Sequence, residues 1–171
     1  MLVHAAAGGL GLMAVQIARA VGARVIATAS TKEKLDVARR FGADECVDYN
    51  KNKYWWKEVL ELTEGQGVDV VYDPVGLVDK SLKCLKHKGR VLLVGFAGIE
   101  GNMEKIAMNR VLLKQAQLIG YVSGLKALSM TLVLIYAALR RNREKRSRRE
   151  CEDLERVASD VGERPSQACC F

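Results

Sequence analysis

"HAAAGGLGLMAVQIARAVGARVIATASTKEK", His4 to Lys34, decides the fold. Inside it, "AAGGLG" (Ala6–Gly11) is a G-x-G-x-x-G turn whose first glycine is replaced by alanine. In such a turn Gly8 lets the backbone approach a pyrophosphate, and Gly11 lets a helix pack closely on a strand. The context around it is the required one. Leu2–Ala5 is a short apolar run. After the turn, Leu10, Ala14, Ile17 and Val21 recur on one helical face, and Gly22 is placed to stop the helix. "RVIATA" (Arg24–Ala29) follows as a β-branched strand.

The same alternation runs outward from this unit. "TKEKLDVARRFGAD" predicts a helix capped by Thr31, with Leu35, Ala38 and Phe41 facing inward and Gly42 ending it. "ECVDY" predicts a strand, "YWWKEVLELT" a helix and "VDVVYD" (Val68–Asp73) a strong strand. "LVDKSLKCL" predicts a helix, "GRVLLVG" (Gly89–Gly95) a strand, "AMNRVLLK" a short helix and "QLIGY" a last strand. Strands alternating with helices at this spacing make βαβ units and a parallel sheet. Right-handed crossovers then place helices on both faces. The expected fold class is α/β, a Rossmann-type doubly wound parallel sheet in three layers, over residues 1–121.

The end of the second strand discriminates between dinucleotides. An NAD site carries Asp or Glu there, to bind the ribose 2′-hydroxyl. Here Ala29 stands at that place, followed by Ser30, Thr31, Lys32 and Lys34, groups suited to a 2′-phosphate. This favours NADP and argues against a methyltransferase, which holds the adenosine ribose with an acid. The lysines also read as a solvated first helical turn, although cations there oppose the helix dipole.

Composition excludes several classes. Five cysteines (Cys46, Cys84, Cys151, Cys169, Cys170) show no CxxC spacing, and with only His4 and His87 beside them no metal site is expected. No charged leader precedes an apolar stretch, so no secretory signal is read. The net charge of +7 is concentrated in "RRNREKRSRR" (Arg140–Arg149), where seven Arg or Lys meet one Glu. That run follows an apolar stretch of about 13 residues (Ala127–Leu139), short of the roughly 20 a membrane span needs. Residues 122–171 thus read as a separate tail: an apolar helix, a basic run and a disordered end. No aromatic residues interleave with the basic run for base stacking. No nucleic acid and no firm membrane association are expected.

Four segments resemble the cofactor domain of the medium-chain dehydrogenase/reductase superfamily, in its zinc-free quinone oxidoreductase (zeta-crystallin-like) group. They are "AAAGGLGLMAVQIARAVGARVIATAS", "FGADECVDY", "GVDVVYDPVG" and "GRVLLVGFAG". The match as a whole covers roughly Leu2 to Tyr121, about two-thirds of the chain. The resemblance implies NADPH-dependent reduction of quinones or other activated alkenes and carbonyls. It implies Gly8, Gly9, Leu10 and Gly11 at the pyrophosphate, with Ser30 and Lys34 at the adenosine 2′-phosphate and Tyr49 flanking it. Pro74 and Val75 would lie near the nicotinamide ribose, and Gly95, Phe96 and Ala97 would line the nicotinamide. Tyr49 reads equally well as a surface aromatic at a strand end. The resemblance further implies a homodimer through the edge strand 117–121, in the cytoplasm or, for full-length members, the mitochondrion.

The departures matter as much. The family's N-terminal catalytic lobe, which covers the nicotinamide and supplies most of the substrate pocket, has no counterpart in the sequence. Met1 falls inside what the resemblance makes the first strand of a second domain. No catalytic acid or base is nominated; Asp73 ends a strand near the cofactor, where an Asp more often caps a turn. Two readings therefore stay open: an NADPH-dependent reductase seen through its cofactor domain, and a nucleotide-binding fragment that catalyses nothing. The pattern also breaks at Val122-Ser123, a dipeptide encoded by the common form of an intron's 5′ boundary. The expectation is that residues 122–171 are translated intron or shifted frame, and transcript sequencing tests it.

Overall fold

The computed structural model describes residues 1–98 and 104–121; the tail read at 122–171 lies outside the described residues. Among the described residues six strands and five helices alternate: β1 (Leu2–Val3), α1 (Gly9–Ala20), β2 (Ile26–Ala29), α2 (Lys32–Arg40), β3 (Glu45–Asp48), α3 (Trp55–Leu62), β4 (Val68–Asp73), α4 (Val78–Cys84), β5 (Leu85–Leu93), α5 (Met108–Lys114) and β6 (Gln117–Gly120). The sheet order is β3-β2-β1-β4-β5-β6, and every pair is parallel. This is the doubly wound Rossmann order, with its switch point between β1 and β4.

The central strands β1, β2 and β4 are buried on both faces over nearly all their length, so they read as near-continuous apolar runs rather than alternating ones. Successive residues nevertheless part to opposite faces, because the strand period is two. Val3, Ala27, Val70, Tyr72 and Leu92 pack with Ala14, Val15, Ala18 and Ala38, from α1 and α2. Leu2, Ile26, Val71 and Val91 pack with Trp55, Val59, Val78 and Leu82, from α3 and α4, and Val111 of α5 borders that cluster. The expected helices on both faces are present.

The helix stops are also where expected: Gly22 and Gly42 take φ of 74° and 108°, the left-handed region open to glycine. Three details differ. Phe41, read as facing inward, is 44% exposed; it is the C-cap of α2, where the chain has already left the helical face. β1 is a two-residue ladder, because the chain turns at Ala5, whose φ is 46°. β5 starts at Leu85 rather than Gly89 and carries a register shift between Val68 and Val70 of its partner. Gly89 still begins the regular pairing, since Arg90 faces Val70.

Candidate functional site

Four loops leave the carboxyl ends of β1, β2, β4 and β5 around the switch point, the edge at which open α/β sheets bind ligands. Each is built by local chemistry.

The first loop turns from β1 into α1. His4 N–H donates to Tyr72 O (3.0 Å) and Ala6 N–H to Thr28 O (3.1 Å), so the chain is fixed between its two neighbouring strands. Between them, Ala5 is left-handed, a conformation that costs a non-glycine residue about 1 kcal/mol. Gly8 N–H closes the turn onto Ala5 O (2.9 Å). At Gly11 a Cβ would lie 2.3 Å from Ala5 O and 2.7 Å from Ala6 Cα, whereas nothing lies within 4 Å of one at Gly9. Gly11 therefore presses α1 onto the turn, and Gly9 faces open space. The first helical bond runs from Leu12 N–H to Gly8 O (2.8 Å). The amides of Gly9, Leu10 and Gly11 precede it at the positive end of a 12-residue helix, an arrangement suited to an anion. The side chain of Leu10 packs on the core beneath, so only its backbone serves the turn.

The second loop begins at Ser30. Lys34 Nζ donates to Ser30 Oγ (3.3 Å), and Thr31 Oγ1 caps α2 by accepting Lys34 N–H (3.4 Å). Asn50 Nδ2 donates to Ser30 O (3.2 Å) from the loop after β3. No carboxylate ends β2. Glu33 lies in the first turn of α2, where its own amide and the Thr31 hydroxyl hold its carboxyl below the usual range. Tyr49 is half-buried and packs toward the α3 side of the sheet, as either of its two readings allows.

The third and fourth loops are joined. Ala97 N–H donates to Pro74 O (3.1 Å) and Gly98 N–H to Val75 O (2.9 Å). A Cβ on Gly95 would come 2.9 Å from Pro74 O. Pro74 and Val75 are thus brought against Gly95 and Ala97, while Phe96 is left 61% exposed. Asp73 supports this pair from below. Its Oδ1 accepts the amides of Val75 (2.9 Å) and Gly76 (2.8 Å), and its Oδ2 accepts that of Leu77 (2.7 Å). All three bonds spend the carboxylate on its own turn, so Asp73 is a capping residue. Glu104 adds a brace: its carboxylate accepts Val78 N–H (3.1 Å) and Asp79 N–H (2.8 Å), tying the chain that follows the fourth loop to the start of α4.

His4 is wholly buried. Its Nδ1 lies 2.8 Å from Thr28 Oγ1 and its Nε2 lies 2.8 Å from Ser81 Oγ. The Ser81 hydroxyl donates its one proton to Leu77 O (2.7 Å). Ser81 must then accept from His4, which places the ring proton on Nε2 and leaves Nδ1 to accept from Thr28. The edge of Trp55 closes the ring in at 5.0 Å. Burial pushes the imidazole pKa down to about 4, against a smaller opposing pull from Asp73. The partners of His4 lie 24 and 77 residues away, a separation that no local pattern reveals.

Among the described residues no group of three His, Cys, Asp or Glu could hold a metal ion. His4 and Cys84 are unsuited to zinc: both His4 nitrogens are bonded to hydroxyls, and burial pushes the Cys84 thiol up to about 12, whereas zinc takes a thiolate. No helix of the described residues is long and apolar enough to cross a membrane.

With that geometry in view, the likenesses to known proteins are informative. Residues 9–134 match the family described as zinc-binding dehydrogenase. A 2-haloacrylate reductase of Burkholderia sp is 44% identical over 99 residues, 57% of this chain and 29% of that protein. Among solved structures, an NAD-dependent alcohol dehydrogenase superposes with TM-score 0.67 at 33% identity, covering 80% of this chain and 39% of that one. The Escherichia coli quinone oxidoreductase complexed with NADPH superposes with TM-score 0.61 at 31% identity, covering 82% and 42%. The chain spans about a third of the length of the curated relatives it matches. The turn, the sheet order and these matches agree: the chain belongs to the zinc-binding dehydrogenase family, in the quinone oxidoreductase-like part of the medium-chain dehydrogenase/reductase superfamily.

Proposed function

We propose that the chain supplies the NADPH-binding unit of an oxidoreductase that delivers hydride to a quinone or another activated alkene or carbonyl. The observation that carries the choice of dinucleotide is the end of β2. Ala29 offers no carboxylate to a ribose 2′-hydroxyl, while Ser30 Oγ and Lys34 Nζ stand 3.3 Å apart with hydrogen-bonding capacity to spare. A phosphate placed between them would take charge-assisted bonds from both.

The four loops suit the rest of such a molecule. The pyrophosphate would take the amides of Gly9, Leu10 and Gly11, with Gly8 allowing close approach. Tyr49 would flank the adenosine end. Pro74 and Val75 would border the nicotinamide ribose, and Gly95, Phe96 and Ala97 would line the ring. The dinucleotide, when bound, supplies the hydride. The chain's residues bind and orient it: the Asp73 carboxylate fixes the Pro74–Leu77 turn, and the Ala97 and Gly98 amides lock the neighbouring loop to it. Gly11 sets the distance from α1 to the phosphates. The relatives named as quinone and 2-haloacrylate reductases support the substrate class.

A second reading rests on Phe96. Phe96, proposed to line the nicotinamide, is 61% exposed, and hydride transfer requires water to be excluded from donor and acceptor. On this reading the 171-residue chain binds NADPH without turning it over. Following NADPH oxidation with a small quinone separates the two: turnover supports the first reading, and binding without turnover supports the second.

The homodimer is proposed through β6, the outer strand of the sheet among the described residues, where it pairs with β5. Sedimentation equilibrium tests it, and a monomer across the concentration range contradicts it.

A further inference from the structure

We propose that His4 is a positioning residue for the dinucleotide: it holds the left-handed Ala5, and through it the phosphate turn, in the binding-competent shape. The inference rests on the nicotinamide reading above and goes beyond it, because His4 is wholly buried beneath the cradle.

Three observations carry it. First, Ala5 sits at φ 46° and starts the turn whose amides would meet the pyrophosphate. A non-glycine residue persists there only when its surroundings over-determine it. Second, the residue just before it is pinned at three points. The His4 amide bonds β4, Nδ1 accepts from Thr28 in β2, and Nε2 donates to Ser81 in α4. Third, those anchors are the bases of the other loops. Thr28 precedes Ser30 by two residues, and Ser81 bonds Leu77 O, the last residue of the turn that Asp73 holds. One ring therefore registers the phosphate turn against both the 2′-phosphate edge and the nicotinamide edge. His4, just past the end of β1, thus bonds side chains of both β2 and α4.

If the competent turn falls from dominant to about a tenth of the population, the apparent Kd rises about tenfold, whatever the intrinsic contacts are. The loss is shared by NADPH and NADH, because both carry the pyrophosphate. Substitutions distinguish this from general damage. His4→Leu removes both side-chain bonds. His4→Gln keeps one acceptor and one donor, so it can still accept from Thr28 and donate to Ser81. Thr28→Val removes only the donor to Nδ1 and keeps the shape of the residue.

The experiment titrates the whole chain and each variant with NADPH and NADH by nicotinamide fluorescence. Far-ultraviolet circular dichroism and a thermal melt of the same samples check that each is folded at the titration temperature. The expected result is about a tenfold loss for His4→Leu, equal for both dinucleotides, with His4→Gln restored to within about threefold and Thr28→Val between them. If His4→Leu does not fold, Thr28→Val alone carries the test. A folded His4→Leu or Thr28→Val that binds like the unaltered chain overturns the positioning role. An unaltered chain that binds neither dinucleotide overturns the nicotinamide reading itself, and the inference with it.

Discussion

Gly11 and Ala5 meet with no room for a side chain between them: a Cβ on Gly11 would lie 2.3 Å from the Ala5 carbonyl oxygen. The obstacle is backbone on a strained turn, so it cannot swing aside. Gly11→Ala gains about 1 kcal/mol of helix propensity but must push α1 off the turn, at a cost of about 3 kcal/mol for overpacking. A net loss near 2 kcal/mol in urea unfolding is expected, with dinucleotide binding abolished. A Gly11→Ala variant as stable as the parent would show that the approach is looser than it looks.

The Lys34 side chain reaches Ser30 from one helical turn away. Lys34→Glu removes a charge-assisted bond, worth about 1.5–3 kcal/mol, and adds a repulsion. NADPH affinity should fall by about thirtyfold or more, while NADH changes by less than about twofold. Parallel isothermal titrations check this, and a common loss for both dinucleotides would place Lys34 elsewhere in the site.

Acid should weaken the fold through His4. Its ordinary pKa of 6.5 falls to about 4 on burial. Well above pH 6.5 neither state is protonated and the group contributes nothing. As pH falls from 6.5 toward 4, the unfolded chain takes up a proton that the folded chain refuses, and stability is lost. Between pH 7 and pH 5 the loss from this group is about 2 kcal/mol. Urea midpoints at the two pH values, compared with those of His4→Gln, isolate it, because glutamine does not titrate. Equal pH dependence in both proteins would refute the assignment.

Asp73 satisfies three amides of the turn that follows it. Asp73→Ala leaves them without that partner in a buried setting, and each orphaned donor costs about 1 kcal/mol or more. A loss of about 3 kcal/mol is expected, against about half of that for Asp73→Asn, whose carbonyl oxygen still serves the Val75 and Gly76 amides. Chemical denaturation of the two variants measures the difference. A carboxylate needed for chemistry rather than for the turn would instead leave Asp73→Asn inactive at full stability.

Much of the scaffold is legible in the sequence because it is set by local patterns. The central strands are apolar runs, the longer helices have a periodic face, and Gly22 and Gly42 mark two ends by the conformation only glycine adopts readily. The Ala5–Gly11 turn is legible for the same reason: Gly11 is required by contacts five and six residues away. Less legible is whatever depends on distant partners. Phe41 has the spacing of a core residue, yet it lies beyond the last helical turn. β5 gains four residues at its start through a register shift against β4. The His4–Thr28–Ser81 trio and the Glu104 brace bridge segments far apart in the chain. Buried polar side chains carry no periodic signal; only the packed fold shows that their bonds are made.

The central claim is that this chain binds NADPH through the Gly8–Gly11 turn and the Ser30–Lys34 pair. It is tested most directly by titrating the unaltered chain with NADPH and with NADH and following nicotinamide fluorescence. The account predicts saturable binding of both, with NADPH tighter by about tenfold or more, the share of one charge-assisted contact. Equal affinity would contradict the reading of Ser30 and Lys34, and no binding of either would contradict the site.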